Sequence, residues 1–504
     1  MCWKRSVLVL ACAGAVVLTG GCAGDEQLPT AINPAIQPAG KPASGLKVTP
    51  SQINLSGIGA TAVLSVTPGP GSGTISVGVS EPPCVSVALK SSKGNQVKYS
   101  VTATAMGNCS LLVLDGPTGG VIVQVTVAGV NLLPAKLATG TFHTCGLDVN
   151  GAAYCWGHNQ YGQLGNSTNL GVITANPAPT VVAGGLVFNS LTAGTWHTCG
   201  LTAAGSAYCW GANWSGQLGN PTNSGVPDVA NPTPLPVDGG LTFSTLDAGA
   251  DHTCGITTQG AMYCWGSNGL GQLTTSANLN TGLPNATPIL VSGTLAFATL
   301  ATGNGHSCGV TTSGATYCWG GNFVGQLGNG TVSAPVTTPA LVPGLPALAL
   351  ITAGGDHTCG LTVAGAAWCW GQNAFGELSG TTNNPSPTPV GVGGGLAFTT
   401  LGAGAIHSCG RTSVGTVYCW GGNGAAQLGS AADSDPHYSP MLVTGLSAVV
   451  IAAGGSHSCA LTAAGQAFCW GDNRYGQLGN TTNNNTGIGN PTPTLVSGVV
   501  FATP

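Results

Sequence analysis

Seven histidines, His143, His197, His252, His306, His357, His407 and His457, each stand two positions before a cysteine. Imidazole and thiolate are both zinc ligands, so a His-x-Cys pair could in principle hold a metal. A second cysteine follows each first one after ten positions: Cys145/Cys155, Cys199/Cys209, Cys254/Cys264, Cys308/Cys318, Cys359/Cys369, Cys409/Cys419 and Cys459/Cys469. That spacing points to other chemistry. Residues 197–202 and 206–211 read as two short strands, with Ala203-Ala204-Gly205 between them and glycine where the loop needs positive φ. Pairing Thr202 with Ser206 sets Cys199 opposite Cys209 on the same side of the ribbon. Opposed Cβ atoms lie roughly 4.5–5.5 Å apart, near disulfide range. Each cysteine therefore has a partner, and a metal would need several ligands converging where these recur once per unit. No metal site is expected. Each histidine is expected to bond backbone of its own or the neighbouring unit. No nucleophile elbow and no phosphate-binding glycine loop with lysine occurs. Neither catalytic residues nor a cofactor are assigned.

The cysteine pairs recur with a period of about fifty residues, which marks an array of supersecondary units. After each hairpin comes Trp-Gly-x-Asn, then usually Gly-Gln-Leu-Gly, as at 162–165 and 476–479. Before it comes Leu-x-Ala-Gly or a close variant, as at 191–194. Each unit thus offers about four short strands separated by glycine-rich turns. A four-stranded sheet has faces to bury and two edges to protect, and radial repetition does both. The tryptophans of Trp-Gly are expected in the packing, and the asparagine of Trp-Gly-x-Asn as a turn cap.

These motifs resemble the repeat of the regulator of chromosome condensation family. The shared signature is Ala-Gly-x-x-His-(Thr/Ser), the hairpin, then Trp-Gly-x-Asn-x-x-Gly-Gln-Leu-Gly, and it covers residues 135–504. The resemblance implies an all-β fold, a seven-bladed β-propeller. The cysteine pair in every unit departs from the family's intracellular members and looks like an adaptation to an oxidising compartment. A tryptophan-based photoreceptor is known on this fold. It would need clustered Trp and Arg, and residues 135–504 hold only Arg411 and Arg474.

Ahead of the repeats, Lys4 and Arg5 precede an apolar run from Val7 to Leu18, too short to span a bilayer as a resident helix. It reads as a secretion signal, residues 1–22. Leu18-Thr19-Gly20-Gly21-Cys22 resembles a bacterial lipoprotein processing site, with the leucine one place further back than usual, so lipid on Cys22 is expected. Residues 23–44, spaced by Pro29, Pro34, Pro38 and Pro42, read as an extended linker. Residues 45–130 change to alternating β-type runs such as Val97-Lys98-Tyr99-Ser100-Val101, which suggest a small sandwich. They resemble bacterial immunoglobulin-like modules, with Cys84–Cys109 as the expected bridge. Of 19 cysteines, Cys2 and Cys12 leave with the signal and Cys22 carries lipid, so an even set remains, as an exported chain requires.

Charge is sparse, with 10 Lys and Arg against 14 Asp and Glu. So few cations exclude a nucleic-acid surface. The carboxylates of the repeats fall on scattered repeat positions, which favours binding over acid-base catalysis. The expected function is an exported, membrane-tethered scaffold, monomeric, that docks an unidentified extracytoplasmic protein; the membrane is met only through the lipid. The alternatives are an extracytoplasmic enzyme at the propeller face, and nucleotide exchange by family analogy, which export disfavours. In Trp-Gly-x-Asn-x-φ-Gly the φ position varies while its neighbours mostly repeat, and it holds Tyr161, Phe375 and Tyr475, with Trp214 one step earlier in the second unit. These four are the expected partner-binding residues, since large rigid rings dominate protein interfaces.

Overall fold

The computed structural model describes residues 7–11, 14–18, 46–55, 61–68, 75–79, 85–93, 96–103, 107–115, 120–127, 136–291, 294–380 and 382–504. The chain divides into two compact units, one within Met1–Asn131 and one made of Leu132–Thr311 and Ala315–Pro504. Every regular element in the described residues is a strand. Among them no helix is long and apolar enough to cross a membrane.

In the first unit, Val7–Ala11 and Gly14–Leu18 pair antiparallel. Two four-stranded sheets follow. One is ordered Gln52–Leu55, Gly120–Val127, Gly107–Asp115, Ile75–Val79, and the other Lys47–Thr49, Thr61–Thr67, Gln96–Ala103, Val85–Lys93. Alternation along the strands sends Leu64, Val66 and Val101 from one sheet and Leu111, Val113 and Val123 from the other into a common core. Cys109 is disulfide-bonded. Its expected partner Cys84, the expected lipid site Cys22 and the linker 23–44 lie outside the described residues.

The second unit is seven consecutive four-stranded antiparallel sheets. The first runs Leu137–Thr139, His143–Leu147, Ala153–Gly157, Asn176–Val181; the last runs Val450–Ala453, His457–Leu461, Ala467–Gly471, Asn490–Leu495. The hairpin register is the expected one. Cys199 faces Cys209, Thr202 N–H donates to the Ser206 carbonyl, and Gly205 takes φ 80°.

All seven expected hairpin bridges are present: Cys145–Cys155, Cys199–Cys209, Cys254–Cys264, Cys308–Cys318, Cys359–Cys369, Cys409–Cys419 and Cys459–Cys469. Each has its Cα atoms 4.1 Å apart, and all fourteen residues are buried. The two cysteines of a bridge have different surroundings. The first faces the neighbouring sheet, as Cys145 Sγ does at 4.0 Å from the Thr198 hydroxyl and Cys254 Sγ at 3.8 Å from the Ser307 hydroxyl. The second carries the ladder on to the fourth strand of its own sheet. Cys155 is in register with Thr180, Cys209 with Leu235, Cys264 with Ile289 and Cys318 with Ala340. Cys369 likewise meets Val390, Cys419 meets Met441 and Cys469 meets Thr494. Each bridge thus staples the two central strands of a sheet.

The sheets are joined by a repeated polar circuit. His143 Nε2 lies 2.7 Å from the Thr198 hydroxyl of the next sheet, and that hydroxyl donates to the Gln163 carbonyl at 2.8 Å. Its proton committed, the hydroxyl must accept from Nε2–H, which fixes the tautomer. The same pair recurs from His197 to Thr253, His252 to Ser307, His306 to Thr358, His357 to Ser408 and His407 to Ser458. His457 then reaches Thr144 of the first sheet, so the circuit returns on itself. The histidines thus do bond the neighbouring unit, but through a side-chain hydroxyl rather than backbone. The carbonyl at the Gln163 position and its equivalents also accepts indole N–H from six of the seven Trp-Gly tryptophans.

At the chain end, Phe501 bridges to Asp148, and its ring covers Gly146, so the last residues lie against the first sheet. Phe188 covers Gly200 in the same way one sheet on. The C-terminal segment therefore supplies the apolar lid of the first sheet.

Candidate functional site

In an antiparallel four-stranded meander the turns after the first and third strands share one end, and those after the second strand and between sheets share the other. The residue before each repeat histidine and the whole Trp-Gly-x-Asn-x-φ-Gly segment therefore gather at one end. The loops there are longest in sheets one, two, three and seven, spanning 158–175, 212–230, 267–288 and 472–489. These four loops share one frame. Asn169, Asn223, Asn278 and Asn483 sit at φ 54–55° and donate to Asn176, Asn231, Asn285 and Asn490 at 2.7–3.1 Å. Asparagine tolerates that left-handed conformation better than most residues. Each acceptor asparagine in turn donates to the carbonyl of Gly157, Gly211, Gly266 or Gly471. The loops carry exposed aliphatics: Ile173, Val226, Leu283 and Ile488.

The repeat holds the φ residues by their backbone groups. Tyr161 N–H donates to Gln163 Oε1 at 3.0 Å, and the Tyr161 carbonyl accepts from Asn231 N–H of the next sheet at 3.2 Å. Tyr475 is bound likewise, to Gln477 Oε1 and Asn176 N–H. The turn cap is Asn159, whose Oδ1 accepts Leu164 N–H while its Nδ2 donates to Thr168 O. The fold thus fixes the φ backbone and leaves its side chain free to vary.

Those side chains form a continuous aromatic seam across sheets seven, one and two. Tyr161 stands edge-on to Trp214 at 4.9 Å and to Trp196 at 5.3 Å. Trp196 stacks on Phe142 at 4.8 Å, and Phe142 meets Tyr475 at 5.5 Å. His158 fills the centre, edge-on to Tyr475 at 4.7 Å and to Trp196 at 5.3 Å. Gln163 Nε2 sits 3.0 Å from His158 Nδ1, and burial pushes the His158 pKa down to about 4. Phe142, Tyr161, Trp196, Trp214 and Tyr475 are all partly exposed. Three of the four expected binding residues are therefore in one seam. Phe375, in the fifth sheet, is exposed and has no ring contact among the described residues. Phe142, His158 and Trp196 occupy other repeat positions, and only the convergence of two turns brings them in.

The carboxylates are less scattered than their repeat positions suggest. Asp228, Asp251, Asp356, Glu377, Asp433, Asp435 and Asp472 all belong to this loop-bearing end, by the turns and loops they occupy. Arg474 is the one arginine or lysine there, and His437 pairs with Asp433 at 2.8 Å. Lys136 and Arg411 lie at the other end, donating to the Asn189 and Ala448 carbonyls. Burial pushes the Asp251 pKa up to about 6. Glu377 replaces the Gln found at the other six repeats. Its Oε2 accepts Phe375 N–H at 2.9 Å, but Oε1 is buried with no partner among the described residues, and burial pushes its pKa up. Among the described residues no group of three or more His, Cys, Asp or Glu side chains could hold a metal. The chemistry of the cysteines agrees. A thiolate is the metal ligand and the nucleophile, and Cys155, Cys264, Cys318, Cys369, Cys419 and Cys469 are oxidised with their hairpin partners, as is Cys209 with Cys199. These bridges belong to the frame of the sheets and contribute no reacting group to the loop-bearing end.

Comparison with known proteins follows the repeats. The model of the RCC1-like domain matches residues 170–503, and that of the regulator of chromosome condensation (RCC1) repeat matches 135–163. The ultraviolet-B receptor UVR8 of Arabidopsis thaliana is 29% identical over 247 residues, 48% of this chain and 54% of that protein. The probable E3 ubiquitin-protein ligase HERC4 of Homo sapiens is 33% identical over 203 residues, 39% of this chain and 18% of that protein. The chain thus spans about half, or less, of the length of these relatives. The solved structure of Prp20p from Saccharomyces cerevisiae superposes with a TM-score of 0.61 at 20% identity, covering 70% of this chain and 87% of that one. Human WBSCR16 gives 0.57 at 20% identity, covering 68% and 91%. These two show the fold, an all-β propeller type with repeated four-stranded sheets. The chain belongs to the RCC1-like domain family.

Proposed function

We propose that the chain is an exported, lipid-tethered docking scaffold for an extracytoplasmic protein: a seven-bladed β-propeller held off the membrane by the linker and a small immunoglobulin-like sandwich. The aromatic seam carries this reading. Tyr161 and Tyr475 meet the backbone demands of the repeat whatever their side chains, and their rings, packed on those of the neighbouring sheet, stay partly exposed with Trp196 and Trp214 as one surface for a partner. Large rings fixed by packing offer contact area at small entropic cost. Seven disulfides fit an oxidising compartment. They also weigh against the family-analogy alternative, nucleotide exchange on a small GTPase, which belongs to reducing compartments. No nucleic acid and no cofactor enters the reading, and the propeller acts as a monomer.

Changing Tyr161, Trp214 and Tyr475 to Ala together, with Phe375→Ala as a separate variant, tests the seam. The full chain is immobilised and exposed to envelope and secreted proteins of its native host. Loss of a retained protein with an intact melt supports the seam as the docking surface. Retention that survives the triple change while Phe375→Ala abolishes it moves the surface to the fifth blade. An enzyme at this face is the second reading, favoured by the carboxylates gathered there, and turnover of envelope polysaccharide by wild type would select it.

A further inference from the structure

The loop-bearing end combines two features that a generic docking face does not need together, flat aromatic rings and an excess of negative charge. We propose that the seam between the first two sheets recognises a lysine or arginine side chain on an extended segment of the partner protein, seated against Trp214 and Tyr161 with Asp228 as counter-charge. This rests on the docking reading above and names the chemistry of what docks.

Three observations meet at this point. Trp214 makes a ring contact with Tyr161 alone among the described residues and stays partly exposed, so its indole has π surface free. A cation is drawn to an indole face more strongly than to the other aromatic rings. Asp228 is brought to the same place by the second loop. Asn231, three residues on, is hydrogen-bonded to the Tyr161 carbonyl, and Asp228 turns the chain at φ 58°. Its charge is felt at the Tyr161 hydroxyl, whose pKa is raised by burial and by Asp228. Finally, Ile173 and Val226 stand exposed on the flanking loops. They offer apolar cover for the methylene stem that a long cationic side chain carries.

The wider field agrees. Seven carboxylates share this end with Arg474, while Lys136 and Arg411 are spent on carbonyls at the opposite end. Such a field draws cationic ligands and repels anionic ones. A neutral sugar would also stack on these rings and donate a hydroxyl to Asp228, but, being uncharged, it gains nothing from the excess of negative charge around them.

The test exposes the full chain, fluorescently labelled, to an array of random-sequence peptides and to immobilised neutral oligosaccharides, with Trp214→Ala and Asp228→Asn alongside. Asparagine keeps the left-handed conformation of Asp228, so that change removes charge without disturbing the turn. The retained peptides should be enriched in lysine and arginine. Each variant should lose about tenfold in signal with an unchanged melt, and added salt should weaken wild type more than Asp228→Asn. Enrichment of apolar peptides without cations, abolished by Trp214→Ala, leaves the docking reading standing and overturns the cation inference. Cationic enrichment that neither variant alters overturns the placement at this seam. Binding to oligosaccharides with no peptide retained overturns both readings, as does retention of nothing on either array.

Discussion

His457 Nε2 lies 2.9 Å from the Thr144 hydroxyl, joining residues 313 apart in sequence and closing the polar circuit on itself. Both groups are fully buried, and the histidine's Nδ1 has no hydrogen-bond partner among the described residues. A proton added there would be a buried charge with nothing to pair it. Burial accordingly pushes the pKa of six repeat histidines down to about 3 and that of His357 to about 4.

The sign of the pH effect follows. The folded pKa values lie below the ordinary 6.5, so between them the unfolded chain binds protons that the folded chain excludes. Stability should be full above pH 6.5 and drain as pH falls toward 3, by about 1.4 kcal/mol per unit for each histidine. Thermal melts of the second unit's signal at stepped pH check this. A melting temperature that stays flat from pH 6.5 to 4 would count against the circuit.

Thr198 tests one link. Thr198→Val should leave His143 Nε2–H without an acceptor in a buried site and cost about 1–3 kcal/mol. Thr198→Ser keeps the hydroxyl and should cost under about 1 kcal/mol, since Ser307, Ser408 and Ser458 already do the same work elsewhere. Denaturant midpoints of the two variants should therefore separate clearly, and equal losses would mean that the hydroxyl contributes no more than the methyl.

Phe501 is the next site. Its ring lies on Gly146 and 5.6 Å from Trp156, and its backbone N–H donates to Gly465 O. Phe501→Ala should cost about 3–5 kcal/mol, the range for emptying a buried aromatic site. Deleting 499–504 should cost at least as much, because the first sheet then loses its lid as well as the Ala502–Leu147 backbone bond. Calorimetry of both variants decides it, and an unchanged melt would rule out closure by the chain end.

Glu377→Gln should stabilise by about 1 kcal/mol, by replacing a buried carboxyl oxygen that has no partner. The effect is pH-dependent. Because the folded pKa of Glu377 is raised above 4.5, its contribution is present below that value and lost as pH rises. Glutamine does not titrate, so the gain should be larger at pH 7 than at pH 4. A variant less stable than wild type at neutral pH would show that the carboxylate is satisfied in solution.

Within one repeat the sequence was nearly sufficient. The ten-residue cysteine spacing, the turn glycine such as Gly205 and the period-two alternation settle which residues face each other, because a hairpin's register depends only on its loop. The C-terminal closure was legible for the same reason: residues 499–503 repeat 295–299, which lead into another sheet. What lies between repeats was not legible. The acceptor for His143 is a hydroxyl 55 positions away, and nothing in a local pattern names it. Phe142 and Trp196 share one repeat position and His158 holds another, yet all three meet because two different turns share one end of each sheet and neighbouring sheets bring those ends together. The same rule excludes Phe375. Where the first sheet's Tyr161 finds Trp196 and Trp214, the corresponding places around Phe375 hold Ile406 and Gly424, so no seam forms. Local spacing determined the sheets, and the stacking of sheet on sheet alone decided which side chains share a surface.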